Sequence, residues 1–244
     1  MISINRVRNT VFYLLNKSNR GTIGAGEFDA FCNLAQADLF ENLFYRYNKW
    51  VNNSTKRYSN TEHADMVSNL EQQINTFATY STDSNFTYNI TNNVWSYIGN
   101  DLYRTEGISL INSQGRKQDI DEVLKGYELN NAINSKINPP SLSYPIYTKI
   151  GNSYRVYPTV PIGYSVELLY IRSPKQVKWT YILDSSLNPQ YSASASDKQD
   201  FELDEVLFPL LVAKILSYCG LSIKETEVVA AAEQSSQLTE QKEQ

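Results

Sequence analysis

Apolar positions open the chain at helical spacing. Ile4, Val7, Val11, Leu14 and Leu15 predict an amphipathic helix from Ser3 to Lys17, stopped by the breaker run Ser18, Asn19, Arg20 and Gly21. A second stripe, Phe28, Phe31, Cys32, Ala35, Leu39, Leu43 and Tyr47, predicts a helix from Gly26 to Val51, which needs a partner along its whole length. Met66, Leu70, Ile74 and Phe77 predict a third, with Thr61 as its N-cap. From Phe86 the period changes to two. Phe86, Tyr88 and Ile90 alternate with polar residues, and so do Tyr154 and Val156, then Tyr164, Val166, Leu168 and Tyr170, then Val177, Trp179 and Tyr181. Short strands separated by turns predict an antiparallel sheet, sandwich or small barrel. A short helix through Ile120, Val123, Leu124 and Tyr127, capped by Asp119, is expected to interrupt them.

After a flexible connection from Ser192 to Ser196, Val206, Leu207, Leu210, Leu211, Ala213 and Ile215 return to helical spacing, with Gly220 expected as the C-cap. Pro209 fits that helix only in its first turn. A last helix from Ser222 to Ala232 fades into the polar stretch Gln234 to Gln244, expected to order only when bound. The fold class expected is α+β. Residues 1–82 with 197–244 form a helical bundle with a flexible C-terminal tail, and residues 83–196 form a β-rich domain.

Composition narrows the class. With 41% hydrophobic and 20% charged residues, and 18 tyrosines, the 244-residue chain has the makings of a real core. A net charge of -4 provides no global basic field for nucleic acid or anionic lipid. No apolar run approaches the roughly 20 residues that cross a bilayer, and the opening lacks the apolar core of an export signal, so neither span nor leader is expected. Cys32 and Cys219 both fall in apolar helical patterns and read as buried thiols. Basic residues dominate Met1 to Asn60 and acidic ones dominate Asp197 to Gln244. Such ends can pair within one bundle or between neighbouring copies.

Candidate chemistry is sparse. Asn16 to Phe28 imitates a calcium-binding loop, with Gly21, Ile23 and Glu27 at the sixth, eighth and twelfth places. Asn16, Ser18 and Arg20 occupy its first ligand positions, and a guanidinium there repels a cation. His63 is the only histidine, so a two-histidine metal site cannot be built, and its acidic neighbours suit a helix start. No metal or cofactor is expected. Asp119 with Asp121, and Asp204 with Glu205, are the carboxylate pairs that an enzyme would have to use. Trp95, Tyr97, Trp179 and Tyr181 could line a sugar or peptide face, or serve as core and subunit contact. Tyr170 beside Ile171, and Tyr181 beside Ile182, suggest a sheet covered on both sides.

The opening NRVRNTVFYLLNKSN, RGTIGAGEF and DAFCNLAQADLFENLF resembles structural proteins of crAss-like and related tailed phages. So do the later blocks ELNNAINSKINPPSLSYPIY, YRVYPTVPIGYSVELLYIRSPKQVKW and DFELDEVLFPLLVAKILSYCGLSI. The resemblance covers nearly the whole chain and rests on apolar and turn patterns. It implies a non-enzymatic virion component made in the host cytoplasm: a ring, or head-to-tail adaptor, subunit beneath the portal. Such a subunit forms a twelve-fold ring, docks on the portal, carries the next tail ring and leaves a channel through which DNA passes. By analogy with adaptors generally, the C-terminal tail with Lys224, Val228, Val229, Glu233 and Leu238 is expected to dock on the portal; the aromatic strand residues Trp95, Tyr97, Tyr170, Trp179 and Tyr181 are the expected contacts between subunits. The alternative from another class is a carbohydrate- or peptide-binding module of a fibre or adhesin.

Overall fold

A computed structural model describes residues 1–16, 23–52, 60–81, 85–186, 188–223 and 234. The chain divides into two compact units, residues 1–74 with 174–244, and residues 75–173. The described helices are α1 (Ile4–Asn16), α2 (Ala25–Asn52), α3 (Asn60–Asn75), α4 (Gly126–Ile133) and α5 (Phe208–Ile223). All but α4 belong to the first unit, and the architecture is mixed α+β with a β-rich middle.

In the first unit most of the predicted stripe positions become the core, but Leu14 and Val206 stand exposed, and Phe31 and Tyr47 are half-buried. Ile4, Val7, Val11 and Leu15 of α1, Phe28, Cys32, Ala35, Leu39 and Leu43 of α2, and Leu210, Leu211, Ile215 and Cys219 of α5 are buried. α5 packs against both α1 and α2. Each buried Leu, Ile or Phe contributes about 1.5–3 kcal/mol of transfer free energy, so this three-helix seam supplies a large share of the unit's stability. Asp204 accepts from the Val206 N–H at 3.0 Å and caps a single 3₁₀ turn, Glu205–Leu207, that leads into α5. Pro209 sits in the first turn of α5, where its missing N–H costs no helical bond. Gly220 does not end the helix: it is buried within α5, which runs on to Ile223.

The first residues of the chain meet the approach to α5 inside this unit. Ile2 and Phe201 exchange backbone hydrogen bonds at 3.1 and 3.3 Å, and the Ile4 N–H donates to Asp200 at 2.9 Å. Arg6 pairs with Glu205 at 2.9 Å, and Lys214 with Asp38 at 2.6 Å. Basic α1 therefore meets the acidic approach to α5 within one chain. These exposed pairs are worth at most about 1 kcal/mol each.

The second unit is one eight-stranded sheet. Its strands are β1 (Ala78–Ser81), β2 (Phe86–Asn89), β3 (Val94–Tyr97), β4 (Leu102–Ile111), β5 (Lys117–Glu122), β6 (Ile146–Ile150), β7 (Ser153–Tyr157) and β8 (Ser165–Arg172). Their order is β1-β8-β4-β5-β6-β7-β3-β2. Alternate residues point inward to one core that includes Phe86, Trp95, Ile108, Leu110, Ile120, Tyr154, Val156 and Leu168. The sheet curls until Tyr97 on β3 and Tyr170 on β8, five strands apart in the order, bring their hydroxyls within 2.8 Å.

Several expectations are corrected. The sheet is mixed, because β5 and β6 pair in parallel, and the helix α4 lies in the crossover that a parallel pair requires. The segment expected as a helix around Ile120 is strand β5: Ile120 pairs with Ile108 of β4 and is buried, so sheet burial overrides its helical spacing. The helix begins later, at Gly126. The unit boundary falls at residue 174, not 197, because residues 174–196 belong to the helical unit. Its other edge falls at residue 75, ahead of β1. Ser192 to Ser196 is held by backbone bonds from Ser192 to Thr180 and from Lys198 to Ala195, so it is a structured turn. Ile90 lies exposed in the turn after β2, outside the alternation predicted for it.

Candidate functional site

In the helical unit, α2 holds an extended segment by side chains one helical face apart. Gln36, Asn33 and Asp29 sit at intervals of three and four, and residues 175, 177 and 179 present backbone groups at intervals of two. The Gln36 amide donates to the Lys175 carbonyl at 2.8 Å. Asn33 accepts from the Val177 N–H at 2.8 Å and donates to its carbonyl at 3.1 Å, and Asp29 accepts from the Trp179 N–H at 3.0 Å. Seven helical residues rise about 10 Å and four extended residues about 13 Å, near enough for each side chain to find its partner. Burial raises the Asp29 carboxyl, opposed by the Trp179 N–H and by Lys178.

This zipper fixes Trp179, whose ring lies beneath the Arg8 guanidinium at 3.8 Å, while Phe12 takes the same guanidinium at 4.4 Å. Burial lowers the Arg8 pKa, and among the described residues its Nε has no hydrogen-bond partner. Tyr181 and Tyr191 stack near Trp179, with centroids 5.3 and 6.4 Å away. They open the hairpin formed by β9 (Tyr181–Leu183) and β10 (Pro189–Tyr191), whose turn is braced by Asp184 accepting from the Ser186 and Asn188 N–H groups at 2.7 and 3.0 Å. Tyr181, Ile182 and Leu183 all stay exposed, Ile182 at 62%. A braced ribbon with an uncovered apolar strand is suited to contact with another molecule.

In the sheet unit, polar side chains gather on the inward face. The Tyr97 hydroxyl donates to Asp101 Oδ1 at 2.7 Å and the Tyr170 hydroxyl to Oδ2 at 3.1 Å, so both carboxylate oxygens are engaged. Gly99 makes this possible, since a Cβ there would lie 2.3 Å from the Tyr97 hydroxyl. Thr105 and Tyr154 share a hydrogen bond of 2.8 Å, and Lys149 donates to Thr105 at 2.9 Å. Burial is the first cause raising the hydroxyl pKa of Tyr97, Tyr147, Tyr154 and Tyr170. Hydrogen bonds to Tyr170 and Asp101 add to it at Tyr97, and the Glu122 charge adds to it at Tyr147. All four remain neutral donors at physiological pH, which suits a polar plug inside a curled sheet. The thiols are likewise held protonated, Cys32 well above its ordinary value and Cys219 pushed up to about 12, both chiefly by burial.

The same unit carries an exposed arm, residues 123–145, between β5 and β6. It is rooted by Leu142 packing on the core and by Gln118 donating to the Ser143 carbonyl. Its helix α4 has no buried residue. Around it, Leu124 is 81% exposed and Ile137 97%, with Tyr127 and Tyr144 also open.

Placement of the expected contact residues differs from the sequence reading. Trp95, Tyr97 and Tyr170 are buried in the sheet core, and Trp179 is 2% exposed in the helical unit. A side chain enclosed by its own unit cannot form a face for a neighbouring copy; of the five, Tyr181 alone is available. Lys224, Val228, Val229, Glu233 and Leu238 lie outside the described residues. Sequence reasoning missed the arm and the hairpin. The signals available were Ile137, an isolated apolar residue outside every stripe, and Leu124 and Ile182, which spacing assigned to a helical face and to a doubly covered sheet.

Among the described residues no group of His, Cys, Asp and Glu is placed to hold a metal ion, and no helix is long and apolar enough to cross a membrane. No family model matches the chain, and no curated protein matches it.

Proposed function

We propose that this chain is a non-enzymatic structural subunit of a tailed-phage virion, assembling into a ring between portal and tail. DNA passes through the ring's channel without being retained. The reading starts from the resemblance of the terminal helices and later blocks to phage ring adaptors. The structural observation that supports it best is the pair of braced, apolar, uncovered projections, the β9–β10 hairpin in one unit and the 123–145 arm in the other. Projections of this kind are costly on a solitary protein and useful on one that is covered by neighbours. The net charge of -4 suits a channel that must release phosphates. A sugar-binding platform gains less support, because both of its tryptophans, Trp95 and Trp179, are buried.

Native mass spectrometry of the chain mixed with the portal assembly of its own genome tests the reading, alongside a variant truncated before Lys224. The expected result is one copy bound per portal subunit, lost in the truncation. Absence of any mass gain overturns the adaptor role.

A further inference from the structure

The arm combines two features that belong together only if something covers it. An isolated helix shorter than about 12 residues is marginal in water, yet the eight-residue α4 buries nothing fully, and the apolar residues Leu124, Tyr127 and Ile137 beside it stand open. The arm also carries an unmatched charge. Lys125 pairs with Glu128 at 3.6 Å, but among the described residues no acid pairs with the exposed Lys136. The complement is on the same unit. Asp119 and Asp121 project from the outward side of β5, opposite the buried Ile120, and both are exposed. Asp119 accepts a hydrogen bond from Ser109 at 2.9 Å, and among the described residues neither acid has a basic partner. One surface thus offers a cation with apolar residues, and a second, at the root of the arm, offers two uncompensated carboxylates.

We propose that the arm of each copy seats on the outward side of β5 of the next copy, Lys136 against Asp119 and Asp121, with Leu124, Tyr127 and Ile137 covered by the contact. Because the arm and its seat are different patches, the contact is heterologous. Each copy gives one arm and receives one, and repetition closes a ring when the rotation between copies divides a full turn. This inference rests on the ring reading and supplies its subunit contact.

The test uses the full chain carrying Lys136→Cys with Asp121→Cys, oxidised with and without the portal assembly, and the unsubstituted chain as control for Cys32 and Cys219. A disulfide-linked series extending past the dimer is expected. A linked product that stops at two copies overturns the ring reading while keeping the arm contact. No linkage above the control overturns the arm contact, whether or not the unsubstituted chain forms rings by native mass spectrometry, and rings would then leave the ring reading standing. Separately, Lys136→Glu should weaken self-association about tenfold, equivalent to about 1.4 kcal/mol. Asp119→Lys with Asp121→Lys should restore it in the Lys136→Glu background. Failure of that charge exchange, with circular dichroism unchanged, overturns the assigned partners.

Discussion

Asn33 of α2 takes both backbone groups of Val177, accepting from its N–H at 2.8 Å and donating to its carbonyl at 3.1 Å. A helix side chain here does what a neighbouring strand would do in a sheet. Among the described residues the same segment gains one strand-like bridge, between Lys178 and Gln199. The segment 175–179 leads straight into the exposed hairpin, so α2 sets where that hairpin projects.

Replacing Asn33 by Leu, similar in shape but unable to form hydrogen bonds, leaves a donor and an acceptor of Val177 unpaired. A loss of about 2–3 kcal/mol is expected in urea unfolding. Asn33→Asp keeps the acceptor but turns a carboxylate oxygen toward the Val177 carbonyl, so it should recover part of the loss only in acid, where the protonated carboxyl can donate. A loss in Asn33→Asp that does not change with pH would show that the paired geometry contributes nothing beyond volume.

Asp29 and Asp197 should show opposite pH signatures. Burial raises Asp29 above 3.8, so the folded chain holds that proton to higher pH than the unfolded chain does. Its stabilising contribution is present below the unfolded value and is lost as pH rises through the folded one. Asp29→Asn keeps an acceptor for the Trp179 N–H and cannot ionise, so it should gain on the native protein as pH rises above the unfolded value of about 4. Asp197 is held low by its hydrogen bonds to Lys178 and Thr180. Its contribution is present above the unfolded value and disappears as pH falls through the folded one, so Asp197→Asn should lose ground at neutral pH and recover in acid. Urea midpoints of both variants across this range check the signs.

Arg8 lies between the faces of Phe12 and Trp179. Arg8→Lys retains the charge but not the flat guanidinium, and should cost about 1 kcal/mol. Trp179 is enclosed in its own unit, so the change should also alter its fluorescence; in a Trp50→Phe, Trp95→Phe background the signal belongs to Trp179 alone. An unchanged spectrum and unchanged midpoint would show that the stacking is incidental.

The four buried tyrosines should titrate late. Their folded pKa values lie above 10.0, so the folded chain keeps these protons where the unfolded chain loses them, and stability should fall as pH rises past about 10. Ultraviolet titration should show the buried set ionising together with unfolding. Tyr97→Phe removes one donor to Asp101 and should cost about 1–2 kcal/mol at neutral pH.

Apolar periodicity alone located the helices α1, α2 and α5, because each has a long apolar stripe whose period matches one burial face, as Ile4, Val7 and Val11 show. It also determined β7 and β8, where the inward residues Tyr154, Val156, Val166, Leu168 and Tyr170 alternate strictly. Short segments were different. Ile120 and Tyr127 fit a helical spacing, and only the pairing of Ile120 with Ile108 decided that β5 is a strand. Whether an aromatic faces the core or solvent was likewise invisible. Trp179 and Tyr181 share one alternation, yet Trp179 is enclosed by Arg8 and α2 while Tyr181 begins an exposed ribbon. Periodicity records which residues share a face; it says nothing of what lies opposite that face. That is set by contacts between residues distant in sequence, such as Asn33 with Val177 and Tyr97 with Tyr170, and only the tertiary structure supplies them.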